Sequence, residues 1–107
     1  MQSKNSFNEK VYALLKKVPK GKVTTYKALA EALGTKAYRA VGQAMRYNPH
    51  SPEVPCHRCV SSSGRVGGFS GKWNPKSIEV RRKIRMLKRE GVKIRNNIII
   101  NFKKILV

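Results

Sequence analysis

Residues 24–49, TTYKALAEALGTKAYRAVGQAMRYNP, decide the fold. Thr25 stands where a helix N-cap is needed, Leu29, Ala30 and Leu33 recur on one face of a helix from Tyr26 to Leu33, and Gly34 can end it. Thr35 is then placed to cap a second helix from about Lys36 to Tyr47, with Ala40, Val41, Ala44 and Met45 as its apolar stripe. Two short helices joined by a Gly-containing turn, the second bearing Lys36, Arg39 and Arg46, form a helix-turn-helix over about 25–47. Helical hairpins with one basic face are common, so the pattern alone states an architecture.

Working outward, Ser6 and Glu9 have capping-box spacing, and Phe7, Val11, Leu14, Leu15 and Val18 predict a helix from about Phe7 to Lys17, stopped by Pro19 and Gly21. Downstream, Asn48-Pro49 ends the second helix of the pair and starts a loop, about 48–60, that holds both cysteines. Cys59-Val60-Ser61 and Val66 to Phe69 are spaced for a short hairpin about 62–65. Asn74-Pro75 predicts a further helix start, with Ile78, Ile84 and Leu87 inward, an end near Glu90, and Gly91 past it. Lysines and arginines crowd its other face. The tail predicts a hairpin about Asn96-Asn97, with Ile98-Ile99-Ile100 and Phe102 as a strand that must be covered or risk aggregation.

One domain fits 107 residues. The 24 Lys and Arg against 5 Asp and Glu give a formal net charge of +19, which favours a polyanion partner, because neutralised phosphates release counterions. Heat adaptation also raises charge but usually adds Glu alongside Lys, and here acids are scarce. No apolar run approaches the roughly 18 residues that span a bilayer, and the polar N-terminus is no signal peptide. The expectation is a cytoplasmic chain that does not engage membranes.

Pro55-Cys56-His57-Arg58-Cys59 places a nucleophile, a base and a permanent cation together. A thiol acts as nucleophile in its thiolate form, which cationic or imidazole neighbours favour. Three chemistries compete on spacing alone. A zinc deaminase shares Pro-Cys-x-x-Cys but needs His-x-Glu well upstream, whereas His50 and Glu53 are spaced His-x-x-Glu beside the cysteines. Thiol–disulfide exchange shares Cys-x-x-Cys but belongs at a helix start near a βαβ pattern. Structural zinc would have two cysteines and His57 or His50, too few ligands.

Read together with the helices, the segment resembles the O6-alkylguanine-DNA alkyltransferases. The motifs that carry the resemblance are Tyr26-Lys27-Ala28-Leu29-Ala30, Arg39-Ala40-Val41-Gly42, Ala44-Met45-Arg46-Tyr47-Asn48-Pro49, Pro55-Cys56-His57-Arg58, Ser63-Gly64-Arg65, Gly68-Phe69-Ser70-Gly71 and Glu90-Gly91. They run in order from Phe7 to Gly91. The implied fold is mainly α with a small β-hairpin, a winged-helix-like helix-turn-helix domain that carries the active-site cysteine. Residues 1–107 would be a single catalytic and DNA-binding domain, a monomer without the N-terminal domain usual in the family.

The resemblance implies direct repair: the alkyl group on O6 of a flipped-out guanine moves irreversibly to Cys56, once per molecule, with no cofactor and no metal. Glu90 would orient His57, which through a water takes the proton of Cys56. Tyr26 would donate its hydroxyl to guanine N3. Arg39 would take the place of the extruded base in double-stranded DNA approached from the minor groove, with Ala40 and Gly42 keeping the helix slim and Thr25 and Arg46 also at the DNA. Met45 and Phe69 would wall the pocket, the Ser70 N–H and the carbonyls of Cys56 and Cys59 would read the base, and Asn48 would hold the loop. Two residues depart from the family pattern: Cys59 replaces a common Val, which opens a Cys56–Cys59 disulfide under oxidation, and Phe69 replaces a frequent Tyr. A rival implication is a lesion-binding alkyltransferase-like protein without transfer activity, but those relatives commonly carry Trp where this chain has Cys56.

Overall fold

Apolar residues at helical spacing make α1 (Ser6–Lys16), whose Val11 and Leu15 are fully buried. The computed structural model describes residues 6–49, 51, 53–69 and 71–107. β1 (Thr24–Thr25) leads directly into α2 (Tyr26–Ala32), where the Thr25 hydroxyl accepts from the Ala28 N–H at 3.0 Å and Gly34, at φ +71°, takes the chain out of the helix. α3 (Tyr38–Arg46) starts two residues later than the sequence predicts. The reason is local: the Thr35 hydroxyl accepts from the Ala37 N–H at 3.1 Å and closes a turn before the helix instead of capping it. Tyr12 on α1 donates its hydroxyl to the Ala44 carbonyl at 2.7 Å, which fixes the height of α3 on α1.

After α3 a 3-10 turn (Cys56–Arg58) runs into β2 (Cys59–Val60), which pairs in parallel with β1, Thr24 opposite Cys59 and Thr25 opposite Val60. Successive strand residues point to opposite sides. Cys59 therefore packs into a first core with Val11, Leu15, Leu29, Val41 and Ala44, while Val60 packs into a second with Val23, Val66, Val80, Leu87 and Ile99. The short ladder is the seam between the two cores.

This pairing replaces the expected hairpin of Cys59–Ser61 with Val66–Phe69. Ser61 and Arg65 close only a turn, Gly67 at φ +81° cannot continue an extended run, and the Val66 N–H goes instead to the Asn97 carbonyl at 3.0 Å. The tail hairpin does form: β3 (Ile94–Arg95) and β4 (Ile98–Ile99) are antiparallel about Asn96 and Asn97, both left-handed at φ 51° and 65° as a two-residue turn of this hand requires. Its second strand is shorter than expected. Phe102 opens α5 (Phe102–Ile105), lays its ring over Gly64, and brings Ile105 and Val107 to hydrogen-bond on either side of Val23. The tail thus covers the second core.

α4 (Ile78–Arg89) is capped by Ser77, whose hydroxyl accepts from the Val80 N–H at 3.2 Å. Asn74, the expected cap, instead organises the preceding turn by accepting from the Lys76 N–H. Nor is Ile78 inward; it is 71 % exposed, and Val80, Lys83 and Leu87 form the buried face. Lys83 is fully buried, and its ammonium donates to the carbonyls of Cys59 at 2.7 Å, Val66 at 2.7 Å and Gly68 at 2.9 Å. Three donors meet three acceptors. Burial lowers its pKa to about 8, so the group is still charged at pH 7. No helix among the described residues is long and apolar enough to cross a membrane.

Lys83→Met keeps most of the aliphatic stem and removes all three donors, leaving buried carbonyls without that partner. Urea unfolding at pH 7 is expected to show a loss of at least ~2 kcal/mol, against the roughly 0.5 kcal/mol or less of an ordinary surface substitution. A loss in the surface range would show that the ammonium holds nothing.

Candidate active site

The approach to Cys56 is pinned at Asn48. Where α3 ends, the Asn48 side-chain amide donates to the Val54 carbonyl at 2.9 Å, linking the two ends of the segment between them. Pro55 then starts the 3-10 turn, closed by the Arg58 N–H on the Pro55 carbonyl at 2.9 Å. Cys56 is 6 % exposed and Cys59 not at all, both as free thiols. Burial pushes the Cys59 thiol far up, so it stays protonated and inert.

Behind Cys56 lies a compact ionic arrangement. Glu90, the C-cap of α4, receives Arg58 as a fork, Nε to Oε1 at 2.9 Å and Nη2 to Oε2 at 2.8 Å, and His57 Nε2 approaches Oε2 at 2.9 Å. The third guanidinium contact runs from Nη1 to the Val18 carbonyl at 2.7 Å. Burial alone would raise the Glu90 pKa, but the hydrogen bonds from Arg58 and His57 outweigh it and the net shift is downward. An ionised carboxylate only accepts, so His57 Nε2 carries the proton and donates. Burial lowers the His57 pKa despite the pull of Glu90, which leaves the ring neutral at pH 7. Its other nitrogen, Nδ1, is buried and has no hydrogen-bond partner among the described residues. The result is a neutral imidazole, held by one nitrogen, with its basic nitrogen available next to a thiol in sequence.

In front of Cys56 opens a cleft of about 450 Å³, within the roughly 300–1,000 Å³ of small-molecule sites. Cys56, Tyr26, Met45 and Phe69 line it together with Arg39, Gly42 and Arg46 from α3. Helix-turn-helix and cysteine loop thus share one cavity. Burial raises the Tyr26 pKa strongly, so its hydroxyl keeps its proton and can donate. Trp73 completes the wall: its ring lies 6.0 Å from that of Tyr26, tilted by 38°, and leans on Gly68, where an added Cβ would come within 2.6 Å of the indole. Only glycine permits that contact.

The other singled-out residues lie at the rim of the cleft or away from it. Arg39 is exposed on the first turn of α3, Ala40 is half-buried beside it, and Arg46 sits on the last turn with its guanidinium 5.5 Å from the Tyr47 ring centre and against Gly71. Thr25, expected at the DNA, is buried at 5 % exposure with its hydroxyl engaged as the α2 cap. Cys59 does not line the cleft, and its carbonyl, expected to read a base, accepts from Lys83. Ser70 lies outside the described residues, as does His50. Among the described residues no three His, Cys, Asp or Glu side chains come together to hold a metal. The sequence pattern singles out neither Trp73 nor Lys83, and it does not mark Arg58 as the second ligand of Glu90. A lone tryptophan amid glycines was the one available signal for the first.

This chain is similar to known proteins in sequence and in fold. The family described as "6-O-methylguanine DNA methyltransferase, DNA binding domain" matches residues 6–92. A methylated-DNA–protein-cysteine methyltransferase of Metallosphaera sedula is 42 % identical over 90 residues, 84 % of this chain and 53 % of that protein. The chain spans about half the length of the curated methyltransferases it matches. Among solved structures, O6-methylguanine-DNA methyltransferase from the archaeon Pyrococcus kodakaraensis superposes with a TM-score of 0.67 at 44 % identity, over 80 % of this chain and 46 % of that one. S. pombe Atl1, in complex with damaged DNA containing O6-carboxymethylguanine, superposes with a TM-score of 0.81 at 29 % identity, over 100 % of this chain and 98 % of that one. By its matched residues, its cleft and its helix-turn-helix, the chain belongs to the 6-O-methylguanine DNA methyltransferase family, through that family's DNA-binding domain.

Proposed function

We propose that this chain repairs alkylated DNA in the cytoplasm by moving an alkyl group from O6 of guanine to Cys56 in a single turnover. One observation carries the reading: a nearly buried thiol forms part of the same cleft as the exposed face of α3, with a carboxylate-held neutral histidine next to it in the chain. The S–C bond forms as the C–O6 bond breaks, the thiol proton passes through water to His57 Nδ1, and the electron pair goes to the guanine ring. Thiolate suits attack on an alkyl carbon because it is soft and strongly nucleophilic. Tyr26 stabilises the leaving guanine by donating to N3 as charge develops there. O6 is buried in a stacked duplex, so the nucleotide must leave the stack, and Arg39 at the cleft mouth fills the gap. Met45 and Phe69 supply apolar walls, and Asn48 holds the loop in place.

The whole-length match to Atl1 supports a second reading, in which the chain binds lesions without transferring the alkyl group. The thiol of Cys56 favours transfer.

Incubation with duplex DNA containing O6-methylguanine is expected to add one methyl mass to the Cys56 peptide, once per molecule. Lesion-bearing DNA bound with that peptide unmodified would favour the second reading. Cys56→Ala should abolish transfer while binding persists. Arg39→Ala should slow repair in duplex by roughly tenfold or more, with little effect on free O6-methylguanine, since only the duplex requires the stack to be opened; equal losses on both substrates would remove the flipping role.

The pH dependence follows from His57 and Glu90. Both folded pKa values lie below the unfolded ones, about 6.5 and 4.3, so the unfolded state binds more protons on the acid side. Stability contributed by His57 is present above 6.5 and lost as pH falls through its folded pKa; that from Glu90 is lost below about 4.3. The transfer rate should therefore hold from neutrality to below pH 6.5 and then fall with a single acid limb, measured by single-turnover kinetics. A midpoint above 6.5 would contradict a neutral buried base.

A further inference from the structure

α4 shows its buried face as Val80, Lys83 and Leu87, and on the opposite side it presents Arg81, Arg85, Lys88 and Arg89 to solvent. With Ile84 as an apolar floor, these four cations line a groove of about 500 Å³. The groove shares no residue with the cleft of Cys56, and α4 packs on the second core while α3 packs on the first.

Helix stability does not account for this stripe. Lys88 and Arg89 do suit the negative end of the helix dipole, but Arg81 stands in the first turn, at the positive end. Arg81, Arg85 and Arg89 are spaced i, i+4, i+8, so like charges adjoin twice along one face, each pair destabilising. None of the four forms an ion pair among the described residues, where the ion pairs are those of Glu90 with His57 and Arg58. Such a surface is electrostatically unsatisfied until an anion lies on it.

We propose that this α4 groove binds the phosphate backbone of a second DNA duplex segment, so that one molecule holds two. The three guanidinium forks recur about every 6 Å along the helix axis, which lines them up along one strand, and each is shaped for bidentate contact with a phosphate. No acidic side chain lines the groove, and the dispersed charge favours a repeating polyanion over a single compact anion. The inference rests on the chain's being a DNA-binding protein, and it adds a second contact that α3 does not make.

The test is sedimentation of the whole chain with an excess of short undamaged duplex, run beside single-turnover methyl transfer on an O6-methylguanine duplex. Wild type is expected to carry two duplexes per protein. Arg81→Gln/Arg85→Gln should lose the second by roughly tenfold or more in affinity, with transfer changed by less than about twofold. Lys103→Gln/Lys104→Gln removes the same charge from exposed positions on α5 and should keep both duplexes. Circular dichroism checks that each variant is folded. One duplex per wild-type protein, two on the α4 variant, or equal losses in both variants would overturn the proposal. So would preferential binding of duplex RNA at the second site, or a DNA-independent dimer lost with the α4 variant. Failure of methyl transfer with two duplexes still bound would count against the repair reading and leave this one standing.

Discussion

The carboxylate of Glu90 ties the architecture to the chemistry. It caps the C-terminal end of α4, yet two of its partners, His57 and Arg58, lie in the turn that carries Cys56. Arg58 extends the same tie to the Val18 carbonyl just past α1. One largely buried acid, its side chain 13 % exposed, thereby ties together α4, the cysteine turn and the end of α1. Removing it would leave a guanidinium without its fork and an imidazole without its anchor, and truncating one member of such an arrangement costs more than the pair's net worth. In the proposed mechanism fold and reactivity would draw on the same interaction.

Lys83 does the complementary work on the other side of the seam. Its three hydrogen bonds gather the backbone of Cys59, Val66 and Gly68, a stretch too glycine-rich to form a ladder of its own. Through Gly68 the same stretch supports Trp73, and through Trp73 the ring of Tyr26. The cleft wall is thus braced by a buried cation that hydrogen-bonds to Gly68, one of its lining residues. Trp73 and Lys83 hold residues in place; Cys56, His57 and Tyr26 are the groups at which chemistry would occur.

Much of this was legible in the sequence, for reasons that differ by element. The helices announce themselves because Leu29, Ala30 and Leu33, or Val11 and Leu15, repeat with helical period and carry their own caps and stops. Asn96-Asn97 announces a hairpin because few residue pairs tolerate left-handed backbone twice. The parallel pairing of Thr24–Thr25 with Cys59–Val60 leaves no such mark, since two residues have no period and the partner lies far along the chain. Lys83 was hidden by its neighbours: among Arg81, Arg82 and Arg85 a lysine reads as one more solvent-facing cation, and only the backbone carbonyls around it show otherwise. The site motifs were readable in order, and so was Thr25 as a cap, whereas the burial of Thr25 and the turn of the Cys59 carbonyl toward Lys83 depended on three-dimensional neighbours.

The central claim is that Glu90 holds His57 as a neutral imidazole with Nδ1 unprotonated. Nitrogen-15 NMR of histidine-labelled protein at pH 7 tests it most directly. The account predicts that His57 carries its proton on Nε2, with Nδ1 unprotonated and a pKa below 6.5. An imidazolium at neutral pH, or a proton on Nδ1, would contradict it.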